Sequence, residues 1–204
     1  MPGFAPDAER YRAAKIALRD RLLADRRSMT ASDRQSASAS LQAALLALVR
    51  AQQPSTIAAY VPVGSEPGGS DLPSVLASAG RVLLPVLLDS GDLDWAAYEG
   101  SLSTGPRGLR QPTGERLGVD AIREASLVIV PAVAVDRSGV RLGRGGGSYD
   151  RVLARLDRVT LTVALLYDGE LVESVPAEPH DRTVQAAITP SLGLSPSRTS
   201  EWTN

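Results

Sequence analysis

The densest chemistry in this chain lies in one run, Asp136-Arg-Ser-Gly-Val-Arg-Leu-Gly-Arg-Gly-Gly-Gly-Ser-Tyr-Asp150-Arg151. Glycines 143, 145, 146 and 147 leave successive backbone N–H groups unshielded and able to curl around an anion. A helix follows, and its N-terminus adds free N–H groups and a favourable dipole. Arg141 and Arg144 bring positive charge to the same place. Such a run is built to hold phosphate, although a flexible surface turn with incidental arginines is the plainer alternative. It is not a P-loop, because no Lys follows the glycines, and Ser148 stands where a dinucleotide fingerprint would have its third glycine. Asp150 lies beside the expected phosphate, where a carboxylate is repelled unless a cation sits between them. Mg²⁺ fits that need, since it uses one or two carboxylates together with phosphate oxygens and water. A first-turn Asp complementing the helix dipole is the simpler reading of the same residue.

The remaining composition narrows the chemistry. There is no Cys, which excludes thiol catalysis, disulfides and cysteine-ligated zinc. One His, His180, excludes a His-rich metal site, and one Lys, Lys15, stands against 21 Arg. The formal net charge of −1 gives no bulk attraction to nucleic acid or anionic lipid. The start of the chain has no apolar core of the signal-peptide kind, and the longest apolar stretches are too short to span a bilayer. A cytoplasmic protein acting on small molecules is expected, without nucleic acid or membrane partners, as a monomer or a weakly associating chain.

The elements that must position these residues follow from periodicity. Residues 7–27 read as an amphipathic helix carrying Tyr11, Ile16, Leu18, Leu22 and Leu23, and 30–50 as a second helix opened by Thr30. Strands are expected at 57–61, 82–87, 93–98, 127–130, 160–166 and 184–188, with helices at 70–79, 119–124 and 149–156. Short apolar strands separated by helices indicate an α/β fold: an open, mostly parallel sheet with helices on both faces, three layers in all, preceded by the N-terminal helical pair. Residues 1–190 form a single domain in this reading, and 191–204 a flexible C-terminal tail. Ligands in such folds sit beyond the carboxyl ends of strands, so the loops after Val61, Val130 and Leu166 are where a site is expected.

At the glycine loop the chain resembles the 5-formyltetrahydrofolate cyclo-ligase (5,10-methenyltetrahydrofolate synthetase) family. The matching pieces are Lys15-Ile-Ala-Leu-Arg19, Tyr60-Val-Pro-Val-Gly-Ser-Glu66, Gly108-Leu-Arg-Gln-Pro112, Val130-Pro-Ala-Val-Ala-Val-Asp136, Arg141-Leu-Gly-Arg-Gly-Gly-Gly-Ser-Tyr-Asp150 and Pro176-Ala-Glu-Pro-His-Asp181. Together they cover roughly residues 10–190. The resemblance implies a ligase that closes 5-formyltetrahydrofolate to 5,10-methenyltetrahydrofolate while ATP, with Mg²⁺, becomes ADP and phosphate. It implies nucleotide contacts from Lys15, Arg19 and the loop Arg141, Leu142, Gly143, Arg144, Gly145, Gly146, Gly147, Ser148, Tyr149 and Asp150. It implies folate contacts from Val61, Glu66 and residues 144–148, and Mg²⁺ ligands in Asp150 and Asp181. Arg144 and Tyr149 are the catalytic candidates, Arg144 placed to touch phosphate and the transferring group, Tyr149 either stacking on a ring or plugging the helix–sheet junction. His180 reads most simply as a loop residue that orders Asp181 or caps the turn, with acid–base work near neutral pH as the alternative.

The chain departs from the family pattern at three places. Ser148 stands where many relatives carry an aromatic residue, Gln111 where Glu is frequent, and Glu66-Pro-Gly-Gly-Ser replaces a more usual acidic-to-Thr run. Two rival functions fit these residues less well. An isomerase or acyl transferase would leave Lys15, Arg19 and Asp150 without a shared purpose, and a non-catalytic nucleotide or folate binder would not need two metal-type carboxylates.

Overall fold

The computed structural model describes residues 5–178 and 181–198, with side chains described from residue 9. Two helices open the chain, α1 (Ala5–Ser28) and α2 (Ala31–Gln52). Thr30 caps α2 in a reciprocal box: Asp33 N–H donates to Thr30 Oγ1 at 3.1 Å and Thr30 N–H to Asp33 Oδ2 at 3.3 Å. Leu41, Leu45, Leu48 and Val49 then form one buried stripe at helical spacing. Each such leucine contributes roughly 1.5–3 kcal/mol through removal from water.

The chain continues as β1 (Thr56–Ala58), α3 (Leu72–Ala77), β2 (Arg81–Leu87), β3 (Leu93–Ala97), β4 (Leu102–Thr104), β5 (Arg110–Pro112), a 3-10 turn (Val119–Glu124) and β6 (Leu127–Pro131). Then come β7 (Ala134–Asp136), β8 (Arg141–Leu142), α4 (Ser148–Arg155), β9 (Leu161–Leu165), β10 (Leu171–Val172), β11 (Ala186–Thr189) and β12 (Gly193–Pro196). Among the described residues seven strands form the main sheet, in the order β12-β11-β9-β6-β1-β2-β3. The five inner strands are parallel, and β3 and β12 run antiparallel at the edges. Ile57 of β1 pairs with Leu127 on one side and Val82 on the other, so β1 is central and buried on both faces. Helices α2 and α3 cover one face with Leu41, Leu45, Leu72 and Leu76, while α4 and the 3-10 turn cover the other with Val152, Leu153 and Ile122. This is the mostly parallel, helix-covered sheet expected from the pattern of apolar runs.

Three local expectations are corrected. The expected mobile tail supplies β12, which pairs with β11 from Ala186↔Pro196 to Thr189↔Gly193. Its Gly and Pro hide a strand because Pro196 closes an edge strand, where a missing N–H is tolerated. Residues beyond 198 lie outside the described residues. The apolar face of α1 is not all buried: Leu22 is, but Tyr11 and Ile16 are 47% and 48% exposed. The helix touches the body mainly through its second half, where Leu22 packs on Val133, Ala134, Leu142 and Val175. The expected helix at 70–79 shortens to six residues with Pro73 in its first turn, whereas the short helix expected at 119–124 is present as a 3-10 helix with the same bounds. Strands β4, β5, β7, β8 and β10, two or three residues each, carry too short a pattern to read from sequence.

Candidate active site

Chain order reverses between β1 and β6, since β2 lies on one side of β1 and β6 on the other. Ligands in open α/β sheets bind in the crevice outside the carboxyl ends of strands at such a point. A cavity of about 930 Å³ lies there, lined by Tyr60 and Val61 after β1 and by Pro131, Ala132 and Val133 at the end of β6. That volume is at the upper end of the roughly 300–1,000 Å³ of small-molecule sites, room for more than one compact substrate. The loop after Leu166, also expected to carry chemistry, instead borders a separate cavity of about 450 Å³ against α1 and α2.

Every site candidate of the sequence that lies within the described residues lines the larger cavity: Lys15, Arg19, Val61, Glu66, residues 141–150 and Asp181. His180 is outside the described residues. The glycine loop runs from β8 into α4, whose N-cap Gly147 has φ +68 and no side-chain cap. A left-handed backbone suits glycine there, and the first-turn N–H groups are left for another acceptor. Arg19, on α1, donates from Nε to the Gly143 carbonyl at 2.9 Å, holding the near end of the loop.

Each candidate metal carboxylate is paired with a cation. Lys15 Nζ stands 2.6 Å from Asp181 Oδ2 and 2.8 Å from Glu178 Oε2. Burial opposes the ammonium charge, yet the hydrogen bonds to Asp181 and Glu178 raise the Lys15 pKa above its ordinary 10.5. Asp150 Oδ1 accepts from the Arg141 guanidinium at 2.8 Å, and Arg141 also donates to the Pro131 carbonyl at 3.2 Å. Among the described residues no group of three His, Asp or Glu could hold a metal alone. Two carboxylates lining one cavity match the donor set of Mg²⁺ bound largely through phosphate oxygens and water, and do not match an all-protein cage.

On the other wall Arg144 Nε contacts Glu66 Oε1 at 2.9 Å, and Glu66 Oε2 accepts from the Val63 N–H at 2.9 Å. Glu66 is held from both sides, while the Arg144 side chain is half exposed to the cavity. Tyr149 packs against the clusters on both sheet faces, which is the junction plug of the two sequence readings. Its hydroxyl is buried without a hydrogen-bond partner in the protein. Burial, with Glu66 nearby, pushes the phenol well above its ordinary pKa, so it is a neutral donor. The Tyr60 hydroxyl, by contrast, donates to the Pro67 carbonyl at 2.6 Å.

Behind the cavity floor Arg26 is 1% exposed and grips Glu170 through two bonds of 2.6 and 2.9 Å. The same guanidinium donates to the Ala132 carbonyl at 2.6 Å and lies over the Tyr167 ring. Burial raises the Glu170 pKa even against Arg26. Through these contacts Arg26 ties α1 to the loop after β9 and to the segment after β6.

Sequence reasoning missed Arg12, Arg107, Arg110, Glu178 and Arg182, which also line the cavity. Only Glu178 carried a signal, since it lies three residues before Asp181 in the same Pro-rich segment. Nine of the lining residues are cations and four are carboxylates, so the site is strongly positive in a chain of net charge −1.

A model of the 5-formyltetrahydrofolate cyclo-ligase family matches residues 11–190, which include all of these groups. The chain is 41% identical over 188 residues to the 5-formyltetrahydrofolate cyclo-ligase of Mycolicibacterium smegmatis, covering 89% of this chain and 96% of that one. It is 34% identical to the enzyme of the same name from Escherichia coli, over 67% of this chain and 78% of its relative. The fold matches the Aquifex aeolicus 5,10-methenyltetrahydrofolate synthetase with a TM-score of 0.78 at 25% identity, covering 93% and 96% of the two chains. That of Mycoplasma pneumoniae matches in fold with a TM-score of 0.69 at 20% identity, over 85% and 96%. The match runs through both walls of the cavity and the sheet beneath them, and the chain belongs to the 5-formyltetrahydrofolate cyclo-ligase family, enzymes of folate metabolism.

Proposed function

We propose that the cavity binds 5-formyltetrahydrofolate and ATP together and closes the folate to 5,10-methenyltetrahydrofolate, releasing ADP and phosphate. The observation that carries this reading is the convergence on one cavity of a glycine loop, three cations of α1 and two carboxylates, Asp150 in the first turn of α4 and Asp181 in the loop before β11. A formamide oxygen is a poor leaving group, so ATP must convert it into a better one. The formyl oxygen attacks the γ-phosphorus and the bond to ADP breaks. N-10 then attacks the formyl carbon, N-10 loses its proton, and the former formyl oxygen departs as part of phosphate.

The protein's share is positioning and charge neutralisation. Arg19 and the first-turn N–H groups of α4 hold the phosphate chain, with Lys15 and Arg141 adding charge alongside. Leu142, Gly143 and Gly145–Gly147 give it a close backbone wall. Arg144 follows the charge on the transferring group, anchored by Glu66, which with Val61 also borders the folate side. The unpartnered Tyr149 hydroxyl supplies one donor to a bound oxygen. Asp150 and Asp181 are the ligands for Mg²⁺, which supplies charge neutralisation at the phosphates when bound. The reading is of a cytoplasmic monomer acting on small molecules; among the described residues no helix is long and apolar enough to cross a membrane.

The test is direct. Pure protein is incubated with 5-formyltetrahydrofolate, ATP and Mg²⁺ while methenyl-folate absorbance is followed. Product that appears only with ATP supports the reading; its absence at micromolar enzyme overturns it.

A further inference from the structure

The helix that opens the phosphate site is short. Helix α4 has eight residues, two turns, and a segment of that length has no fixed direction of its own in water. Val152, Leu153 and Tyr149 seat it on the sheet, but apolar contacts are non-directional and leave some rotation about the contact available. Polar ties remove it, and they converge on one turn, residues 88–92, between β2 and β3.

That turn is rigid. Gly91 N–H donates to the Leu88 carbonyl at 2.9 Å, and Leu88 N–H to the Asp92 carbonyl at 3.0 Å. Gly91 has φ +79, a conformation that side chains rarely adopt. At the start of α4, Ser148 Oγ donates to the Gly91 carbonyl at 2.5 Å and Arg151 to the same oxygen at 2.6 Å. At the end of α4, Arg155 grips both carboxylate oxygens of Asp92, at 3.0 and 2.5 Å. The fork of a guanidinium on a carboxylate fixes direction as well as distance. Asp92 is itself pinned by the Leu93 N–H at 2.9 Å, where β3 begins. Leu87 and Leu93, on either side of the turn, line the cavity. The turn therefore joins the cavity floor to both ends of the helix whose first turn faces the phosphates.

We propose that the Gly91–Asp92 turn is a positioning element for the nucleotide site, and that the Asp92–Arg155 pair sets the direction of α4 and so of the N–H groups at its start. Neither residue of the pair lines the cavity, so the effect passes through α4. The inference rests on the reading of the glycine loop as the phosphate site. A tilt of α4 moves its first-turn N–H groups, and small displacements of aligned groups carry large kinetic effects. The folate wall at Val61 and Glu66 belongs to the loop after β1 and is joined to the glycine loop by the Arg144–Glu66 contact, so it is expected to shift less than the first-turn N–H groups.

The experiment uses the full-length chain with Asp92→Asn, Arg155→Gln and the double variant. Exposed Arg81–Glu124, disrupted by Glu124→Gln, is the control pair. Equilibrium binding of ATP with Mg²⁺, KM for each substrate and the melting temperature are measured. Each single variant is expected to weaken ATP binding and raise its KM about tenfold, with KM for 5-formyltetrahydrofolate little changed. The double variant should be no worse than either single one, because the pair acts as a unit. ATP binding unchanged in the single variants overturns the proposal. So do equal rises in both KM values, which mark a general loss of structure. If the unaltered protein binds no ATP, the phosphate-site reading falls and this inference with it; if it binds ATP and Asp92→Asn binds equally well, only this inference falls.

Discussion

Arg19 and Gly143 are 124 residues apart in the chain and are joined by a hydrogen bond of 2.9 Å from guanidinium to carbonyl. The bond fastens a largely exposed stretch of α1 to the loop after β8, and it makes the N-terminal helix one wall of the cavity. A cation so held gives charge to the site and shape to the loop at once.

Arg19→Ala removes both. A hydrogen bond from a charged group is worth about 1.5–3 kcal/mol, which corresponds to a rise in the KM for ATP of about tenfold or more. Steady-state kinetics with each substrate varied in turn check this, and the KM for 5-formyltetrahydrofolate should change far less.

Asp150→Asn keeps the side chain's shape and removes its charge. Turnover should fall by about 100-fold or more, because metal-assisted charge neutralisation supplies several kcal/mol at a transferring phosphoryl group. The Mg²⁺ concentration needed for half-maximal rate should rise as well. A titration of rate against Mg²⁺ reads both, and normal turnover would remove Asp150 from the metal site.

Glu66→Gln leaves an acceptor for the Val63 N–H but frees Arg144 from its ion pair. Since Arg144 is proposed to follow the transferring group, kcat should fall by about tenfold, the scale of a mispositioned catalytic contact. Stopped-flow single turnovers separate that loss from weaker binding.

Glu170→Gln breaks the buried pair with Arg26. Removing one partner of such a pair costs about 3–5 kcal/mol, because the other charge stays buried without compensation. For a chain of this size the melting temperature should drop by roughly 6–20 °C, measurable by calorimetry. A loss of less than a degree would mean that Arg26 finds water or another acceptor.

The Asp92–Arg155 pair has a signature in acid. The hydrogen bond from Arg155 holds the Asp92 carboxyl below its ordinary value of 3.8. Its stabilisation is therefore present above about pH 3.8 and is lost as the pH falls through the lower folded value. Denaturant unfolding from pH 7 down to pH 2 should show Asp92→Asn less stable than the unaltered chain at neutral pH, with the gap closing in acid.

Much of this molecule is written along the chain. Thr30 and Asp33 announce a helix start, and Leu41, Leu45 and Leu48 announce the face it buries, because capping and helical period are local matters. The continuous apolar runs at 82–87 and 127–130 announce buried parallel strands for the same reason. Gly143 to Gly147 followed by a helix announces a loop of bare N–H groups at a helix N-terminus, and that loop lines the cavity; both features need only neighbours in sequence.

Other features depend on groups distant in the chain. β12 was hidden because its pairing with β11, not its own composition, makes it a strand. Tyr11 and Ile16 read as core residues by spacing, yet the apolar core of the body meets α1 only from Leu18 onward. The sequence by itself determined the covered α/β sheet and the residue types of the site. Only the tertiary structure decided that Lys15 meets Glu178 and Asp181 across more than 160 residues, that Arg141 pairs with Asp150, and that Asp92 meets Arg155 of α4. The reason is physical: propensity and period are summed over adjacent residues, whereas an ion pair forms wherever the folded backbone brings opposite charges together.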